Sequence, residues 1–449
     1  MTATPSPDDS HALAVGEGRI GAVRIASLGV GLVVAGQFAG WNYGLASGFA
    51  SFAVAAILMA VMCFGLALCV AELATMLPSA GGLHAYCEEA FGPSVGLGVG
   101  LAIAGALTAS TGMAAEFINS YAAGVLGIDG LPLKVALFAF ILAVHLRGVG
   151  EALGVLLFSG AVAVAALLAF AVGVLPSFSL ANLIGAGAAP LGLAGVFGAI
   201  PFALFLFISV EQTATAAQEA RDPARDVSRG MLAAIVILLT TATCVVVAGT
   251  GAVGPDALAG AVDPLAAALA AVDPAPPSWL HPVVQAGAVM GLVATFFSLV
   301  YGASRMIWAM AEEGYLPRVL GSTNGRGAPW IALVLVVVLG FPSTVLSPDI
   351  VVLAMVLLLS GSYVVTLSAY IRLRRTRPDA YRAFHAPGGS LTAGIALVLA
   401  MVVFASALLA GWQLGLALIT AIVLAVALDI TVVRRGGRTA PHSLSAKEP

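Results

Sequence analysis

Residues 34–48 read VAGQFAGWNYGLASG, and residues 192–219 read GLAGVFGAIPFALFLFISVEQTATAAQE. Both belong to apolar runs long enough to be helices, and both are interrupted from within. Gly36, Gly40 and Gly44 punctuate the first, with Gln37 and Asn42 between them, while Gly192, Gly195, Gly198 and Pro201 open the second. Clustered glycine and proline weaken a helix and release backbone N–H and C=O groups. Within a bilayer, such backbone is tolerated only where it is buried in protein or lines a cavity.

The bilayer is read from composition. The chain has 449 residues, 60% hydrophobic and 9% charged, with a mean hydropathy of +1.05. A soluble domain carries about 25% charged residues, so this composition describes a polytopic membrane protein and excludes most soluble enzyme classes. Twelve apolar runs are bounded by charge, glycine or proline, near 24–46, 50–77, 94–126, 132–149, 151–175, 192–216, 229–252, 281–311, 328–346, 349–371, 391–411 and 412–433. Each is close to the roughly 20 residues that a membrane-spanning helix needs. With the N-terminus inside, every Arg and Lys except Lys134 falls on the inner side, the bias expected of cytoplasmic loops. Both termini are therefore expected in the cytoplasm, with residues 1–20 and 435–449 as tails, and the chain in the cytoplasmic membrane of the cell.

The interrupted spans are the first and the sixth, five apart. An odd number of spans per half inverts the second half, giving repeats at about 24–175 and 192–371 with two peripheral helices at about 391–433. Interrupted helices at matching positions of inverted repeats point to a substrate site near the bilayer midplane. The expected fold is thus an all-α integral membrane protein of twelve helices, built from two inverted five-helix repeats.

Ionisable residues within spans are costly and therefore candidates for function. Glu116 lies on a polar stripe with Thr108, Gly112, Asn119 and Ser120. It can pair with a substrate ammonium, take up a proton, or hydrogen-bond to Asn or Ser of a neighbouring helix. Glu211 lies beside the second interruption as a gating carboxylate or a structural contact to unwound backbone, and Glu72 anchors the loop after the second span. Phe38, Trp41, Phe205 and Phe207 are aromatic faces able to stack over a cation.

Other chemistries lack their motifs. There is no GxxxxGK[ST] phosphate loop and no HExxH, so neither a cofactor nor a metal is expected. Cys63, Cys69, Cys87 and Cys244 show no disulfide or metal spacing. The arginines follow topology, not a nucleic-acid patch.

Four further stretches carry a resemblance: ELATMLPSAGGLHAYCEEAFGP at 72–93, RGVGE at 147–151, VEQTATAAQEARDPARDVSRG at 210–230 and SRMIWAMAEEGYLPRVLGSTNGRGAPW at 304–330. Together they resemble the amino acid–polyamine–organocation superfamily of secondary transporters, in family order from about residue 20 to 430. The GWN of residues 40–42 is similar to the first helix of ethanolamine permeases. Three departures stand out: Ser209 where the family often has glycine, His84 near a place often held by an aromatic, and a fifth span with no Lys or carboxylate beyond Glu151.

The resemblance implies alternating access of a small amine solute, ethanolamine foremost, with an amino acid or polyamine permease as the alternative. A channel or an integral membrane enzyme is the different-class alternative. Taken with the interrupted helices and intramembrane charges above, the resemblance gives as expected substrate contacts Ala35, Gly36, Gln37, Phe38, Gly40, Trp41, Asn42, Glu116, Phe205, Phe207 and Ser209, with gating or coupling by Glu211 and Glu116. The implied partners are the amine substrate, the lipid bilayer, and a coupling proton or sodium ion, with no nucleic acid.

Overall fold

The computed structural model describes residues 20–79, 81–184 and 192–433, and the expected terminal tails lie outside the described residues apart from Ile20. The regular structure of the described residues is helical, apart from one isolated bridge between Ile20 and Ala220. The helices that matter here are α1 (Ala22–Val33), α2 (Phe49–Met76), α3 (Leu83–Phe91), α4 (Pro93–Leu126), α5 (Leu131–Leu146), α6 (Val149–Val174) and α7 (Leu193–Phe205). They are followed by α8 (Ser228–Val253), α9 (Leu280–Glu312), α10 (Trp330–Gly340), α11 (Pro348–Thr376), α12 (Ser390–Ala410) and α13 (Trp412–Leu428).

Among the described residues, nine helical stretches are long and apolar enough to cross a membrane, and three shorter apolar helices accompany them. Local chemistry sets where they stop. α5 ends at Leu146 because Gly148 turns the chain at φ +109°, separating it from α6. α10 gives way to a 3₁₀ turn at Phe341–Val345, where Pro342 cannot donate to the helical ladder. The segment 253–280 is partly helical, holding short helices at Asp256–Ala259 and Pro264–Ala271.

Burial sorts the helices by position. In α9 and α11 about three-quarters of the most apolar window is buried, whereas α13 buries only Gly415 and exposes Leu416, Val423, Leu424 and Leu428. A helix apolar on all sides and exposed on nearly all of them is solvated by lipid. α9 packs on α4 and α6 at the centre; α1 packs on α8 and α6, and α7 on α2 and α12.

Long-range polar contacts define two ends. At one, the Arg221 N–H donates to Ile20, Arg374 and Arg382 pair with Glu72, Arg377 pairs with Glu89, and Asn324 donates to Leu146. At the other, Lys134 pairs with Glu116, and Asn42 donates to Leu258 and Ala261. The contacts thus gather the arginine-rich connections at one end, called the basic end below. Glu72, expected to anchor the loop after its own span, directs its carboxylate elsewhere: it accepts from the Tyr370 hydroxyl and the Ala386 N–H and so anchors the 377–389 connection.

Candidate functional site

The first interruption is made by a side chain from another helix. In an unbroken helix the Ala35 N–H would donate to the Gly31 carbonyl. Instead Ala35 donates to Thr295 Oγ1 at 3.1 Å, and that hydroxyl donates to the Gly31 carbonyl at 2.6 Å. Thr295 of α9 is thereby inserted into the hydrogen-bond ladder of α1, an established cause of helix kinks. One more helical turn follows, Ala35–Phe38, before the chain leaves the helix at Ala39 and reverses at Gly40, φ +93°. A 3₁₀ helix, Trp41–Ser47, continues from there. The Phe38 carbonyl accepts from the Tyr121 hydroxyl at 2.9 Å.

The second interruption follows α7. Residues 206–209 form a turn and a 3₁₀ helix resumes at Val210–Glu219. Ser209 stands at φ +80°, the one non-glycine residue with positive φ among the described residues. This is where the family often has glycine, and the reason is now geometric: an L side chain is strained there and glycine is not. The Ser209 N–H donates to Tyr363 Oη of α11 at 3.3 Å. Gln212 Nε2 donates to Glu211 at 2.9 Å. Glu211, buried to 1% exposure, thus sits in the first turn of the resumed helix, where a negative charge is favoured.

The two interruptions touch. A Cβ added to Gly36 would collide with the Phe205 carbonyl oxygen, and one added to Gly40 would lie 2.6 Å from the Phe205 ring. Beside this contact is a cavity of about 20 Å³, lined by Leu32, Val33, Ala35, Gly36, Ser110, Met113, Ala114, Phe117, Phe205, Ile208, Thr295, Leu299 and Met355. That is room for about one water molecule. Apart from backbone, the Ser110 and Thr295 hydroxyls are the only polar groups among the described residues that line it, and none of those residues is ionisable.

Of the residues expected at the site, Ala35, Gly36 and Phe205 line this cavity, and Gly40 abuts Phe205. Phe38 is fully buried, edge-on to Tyr121. The polar residues of the same stretch have other partners. Gln37 donates to the Leu238 carbonyl at 2.9 Å and accepts from Thr241 at 2.6 Å, both on α8. Trp41 Nε1 donates to the Gln37 carbonyl and its ring packs on Phe52. Asn42 caps the Gly40 N–H and ties down the 253–280 segment. Phe207 is buried at 3% exposure but is not among the cavity-lining residues, nor are Ser209 and Glu211. Glu116 is also apart from the cavity: its carboxylate is paired with Lys134 of α5.

Thr295, Ser110, Tyr121 and Tyr363 are absent from the sequence expectations. An isolated hydroxyl in an apolar helix ordinarily bonds back to its own helix, as Ser110 does to Ala106. Only the tertiary structure distinguishes Thr295 from Ser110.

Residues 14–428 match the family profile described as amino acid permease. The chain belongs to the amino acid permease family. An uncharacterized transporter of Rhizobium meliloti (strain 1021) is 30% identical over 338 residues, 72% of this chain and 70% of that one. The branched-chain amino acid permease BcaP of Bacillus subtilis (strain 168) is 28% identical over 214 residues, 46% of this chain and 45% of that protein. BcaP of Lactococcus lactis subsp. cremoris is 26% identical over 395 residues, 77% of each chain. Family membership makes this permease a multi-pass membrane transporter of the amino acid–polyamine–organocation superfamily, not an enzyme, with a small-molecule substrate and a lipid bilayer around it. None of these three relatives is named for ethanolamine.

Proposed function

We propose that this permease moves a zwitterionic amino acid with an apolar side chain across the cytoplasmic membrane, binding it between the two helix interruptions. The observation that carries this reading is the lining of the cavity, which among the described residues is mostly apolar and holds no ionisable side chain. A net cation placed there would be desolvated without a counter-charge, which costs several kcal/mol. A zwitterion carries its own balance, and its two ends can be met by half-helix termini of opposite partial charge. Leu32, Val33, Met113, Phe117, Leu299 and Met355 suit an aliphatic side chain. The names of the two BcaP relatives agree with this class.

Ethanolamine is the second reading, carried by the GWN stretch. It is less well served, because the carboxylate best placed in sequence to meet its ammonium, Glu116, is engaged by Lys134. Since the cavity has room for about one water, any amino acid must part Phe205 from Gly36 to enter. Such a movement is the substance of alternating access in the proposed twelve-span architecture of two inverted five-helix repeats, with the basic end and both termini in the cytoplasm. The coupling ion is proposed only as a class, a proton or sodium.

Uptake inhibition by a panel of solutes tests the reading. In cells expressing the permease, leucine, isoleucine and valine are expected to compete with one another for saturable uptake. Ethanolamine, lysine and putrescine at the same concentration are expected to compete little. Strong inhibition by ethanolamine with none by leucine would reverse the assignment.

A further inference from the structure

At the basic end, away from the cavity, three side chains converge. α3 presents His84 and Glu88 four residues apart, hence on one helical face, and Glu313 follows the last residue of α9. His84 Nε2 lies 2.6 Å from Glu313 Oε2 and 3.6 Å from Glu88 Oε2. The imidazole is fully buried, while the Glu88 and Glu313 side chains keep 23% and 30% exposure, so the group is open to solvent on its carboxylate side. The Tyr315 hydroxyl donates to Glu88 Oε1 at 2.6 Å and holds that carboxylate in place.

The charge balance is the telling feature. Neither Glu88 nor Glu313 has a Lys or Arg ion pair among the described residues; their shared partner is His84. Two carboxylates thus converge on a single imidazole, which even when protonated offsets only one of them. Three donor atoms on two separate elements, within 4.8 Å of one another, match the requirement of one divalent ion. Ligand atoms at about 2.0–2.2 Å from a tetrahedral zinc ion lie roughly 3.3–3.6 Å apart; the Glu88 separation of 3.6 Å already meets this, and the Glu313 carboxylate, now hydrogen-bonded at 2.6 Å, has to move outward to admit the ion. The Tyr315 hydroxyl supplies the outer hydrogen bond that ligating carboxylates usually have.

We propose that His84, Glu88 and Glu313 form a binding site for a divalent transition-metal ion of the Zn²⁺ class, tethering α3 to the end of α9. One imidazole among the ligands favours Zn²⁺ or Co²⁺ over Mg²⁺ or Ca²⁺. The ion takes the Nε2 lone pair, so the ring carries its one proton on Nδ1; a second proton, where present, passes to water, and water completes the coordination. The proposal does not depend on what the permease transports.

Isothermal titration of the purified full-length protein with Zn²⁺ is expected to show one saturable equivalent per chain, unaffected by excess Mg²⁺. H84Q and E313Q should each lower that affinity at least tenfold. Absence of a saturable equivalent, or equal binding in both variants, overturns the site. Co²⁺ spectra provide a measurement independent of how well those variants fold. The wild-type complex should lack a thiolate charge-transfer band and H84C should acquire one. A Co²⁺ complex of H84C without that band would equally overturn the assignment.

Discussion

Gly36 and Gly40 leave no room for a side chain, and the reason is the same residue in both cases. Phe205 fills the space with its carbonyl oxygen beside Gly36 and its ring beside Gly40. A carbonyl oxygen cannot rotate away, so Gly36→Ala must push the two interruptions apart. Overpacking of this kind costs about 1–3 kcal/mol, small against insertion of a polytopic protein but large for the closure of a binding site. Gly36→Ala is expected to reach the membrane in normal amount while uptake falls to background; wild-type uptake by this variant would remove the contact from the site. Ser209 offers the opposite experiment. Left-handed backbone costs a non-glycine residue about 1–2 kcal/mol, and the greater freedom of unfolded glycine returns about 0.5–1 kcal/mol of that. Ser209→Gly should therefore raise the thermal unfolding midpoint slightly, as read by differential scanning fluorimetry. A clear fall would show that the buried Ser209 hydroxyl contributes more than its backbone strain removes.

Thr295 and the Glu116–Lys134 pair act between elements. Thr295→Val keeps the shape of the side chain but leaves the Gly31 carbonyl and the Ala35 N–H without their shared partner. Buried groups left unpaired cost about 1–3 kcal/mol each. The valine variant should lose thermal stability and transport together, and Thr295→Ser should restore both. Wild-type stability and transport in Thr295→Val would mean that Thr295 merely fills space. The Glu116–Lys134 pair, with side chains 28% and 16% exposed, lies between the surface and fully buried cases, so removing one partner should cost about 2 kcal/mol. Glu116→Gln is expected to lower the unfolding midpoint while substrate affinity stays within about twofold, and adding Lys134→Met should recover part of the loss. A thirtyfold weakening of substrate binding in Glu116→Gln would return this carboxylate to the site.

Helix positions were largely legible because apolar runs and their glycine or proline boundaries are local signals. The run at 281–311 became Leu280–Glu312, and both interrupted spans are interrupted in the structure. The identity of the partners was not legible. Gln37 and Asn42 looked available for substrate, yet their bonds reach residues more than 200 positions away on α8 and the 253–280 segment. Lys134 and Glu116 stand on consecutive helices, but nothing in either helix alone shows that they face each other. Buried polar groups find partners wherever the fold brings them, and a single sequence does not state that meeting.

At the scale of the whole molecule, the two interruptions meet at Phe205 with a cavity of about 20 Å³ beside them. The arginine-rich connections gather at one end, and lipid-facing helices such as α13 lie at the periphery. The account therefore predicts a carrier that selects by net charge: neutral zwitterions with aliphatic side chains over amines. Counterflow in proteoliposomes of the purified permease tests this most directly, because it needs no ion gradient and so does not depend on the coupling ion. With unlabelled leucine loaded inside, labelled leucine should accumulate transiently, while vesicles loaded with ethanolamine should show no such overshoot. An overshoot of labelled ethanolamine driven by internal ethanolamine, with none for leucine, would contradict the account.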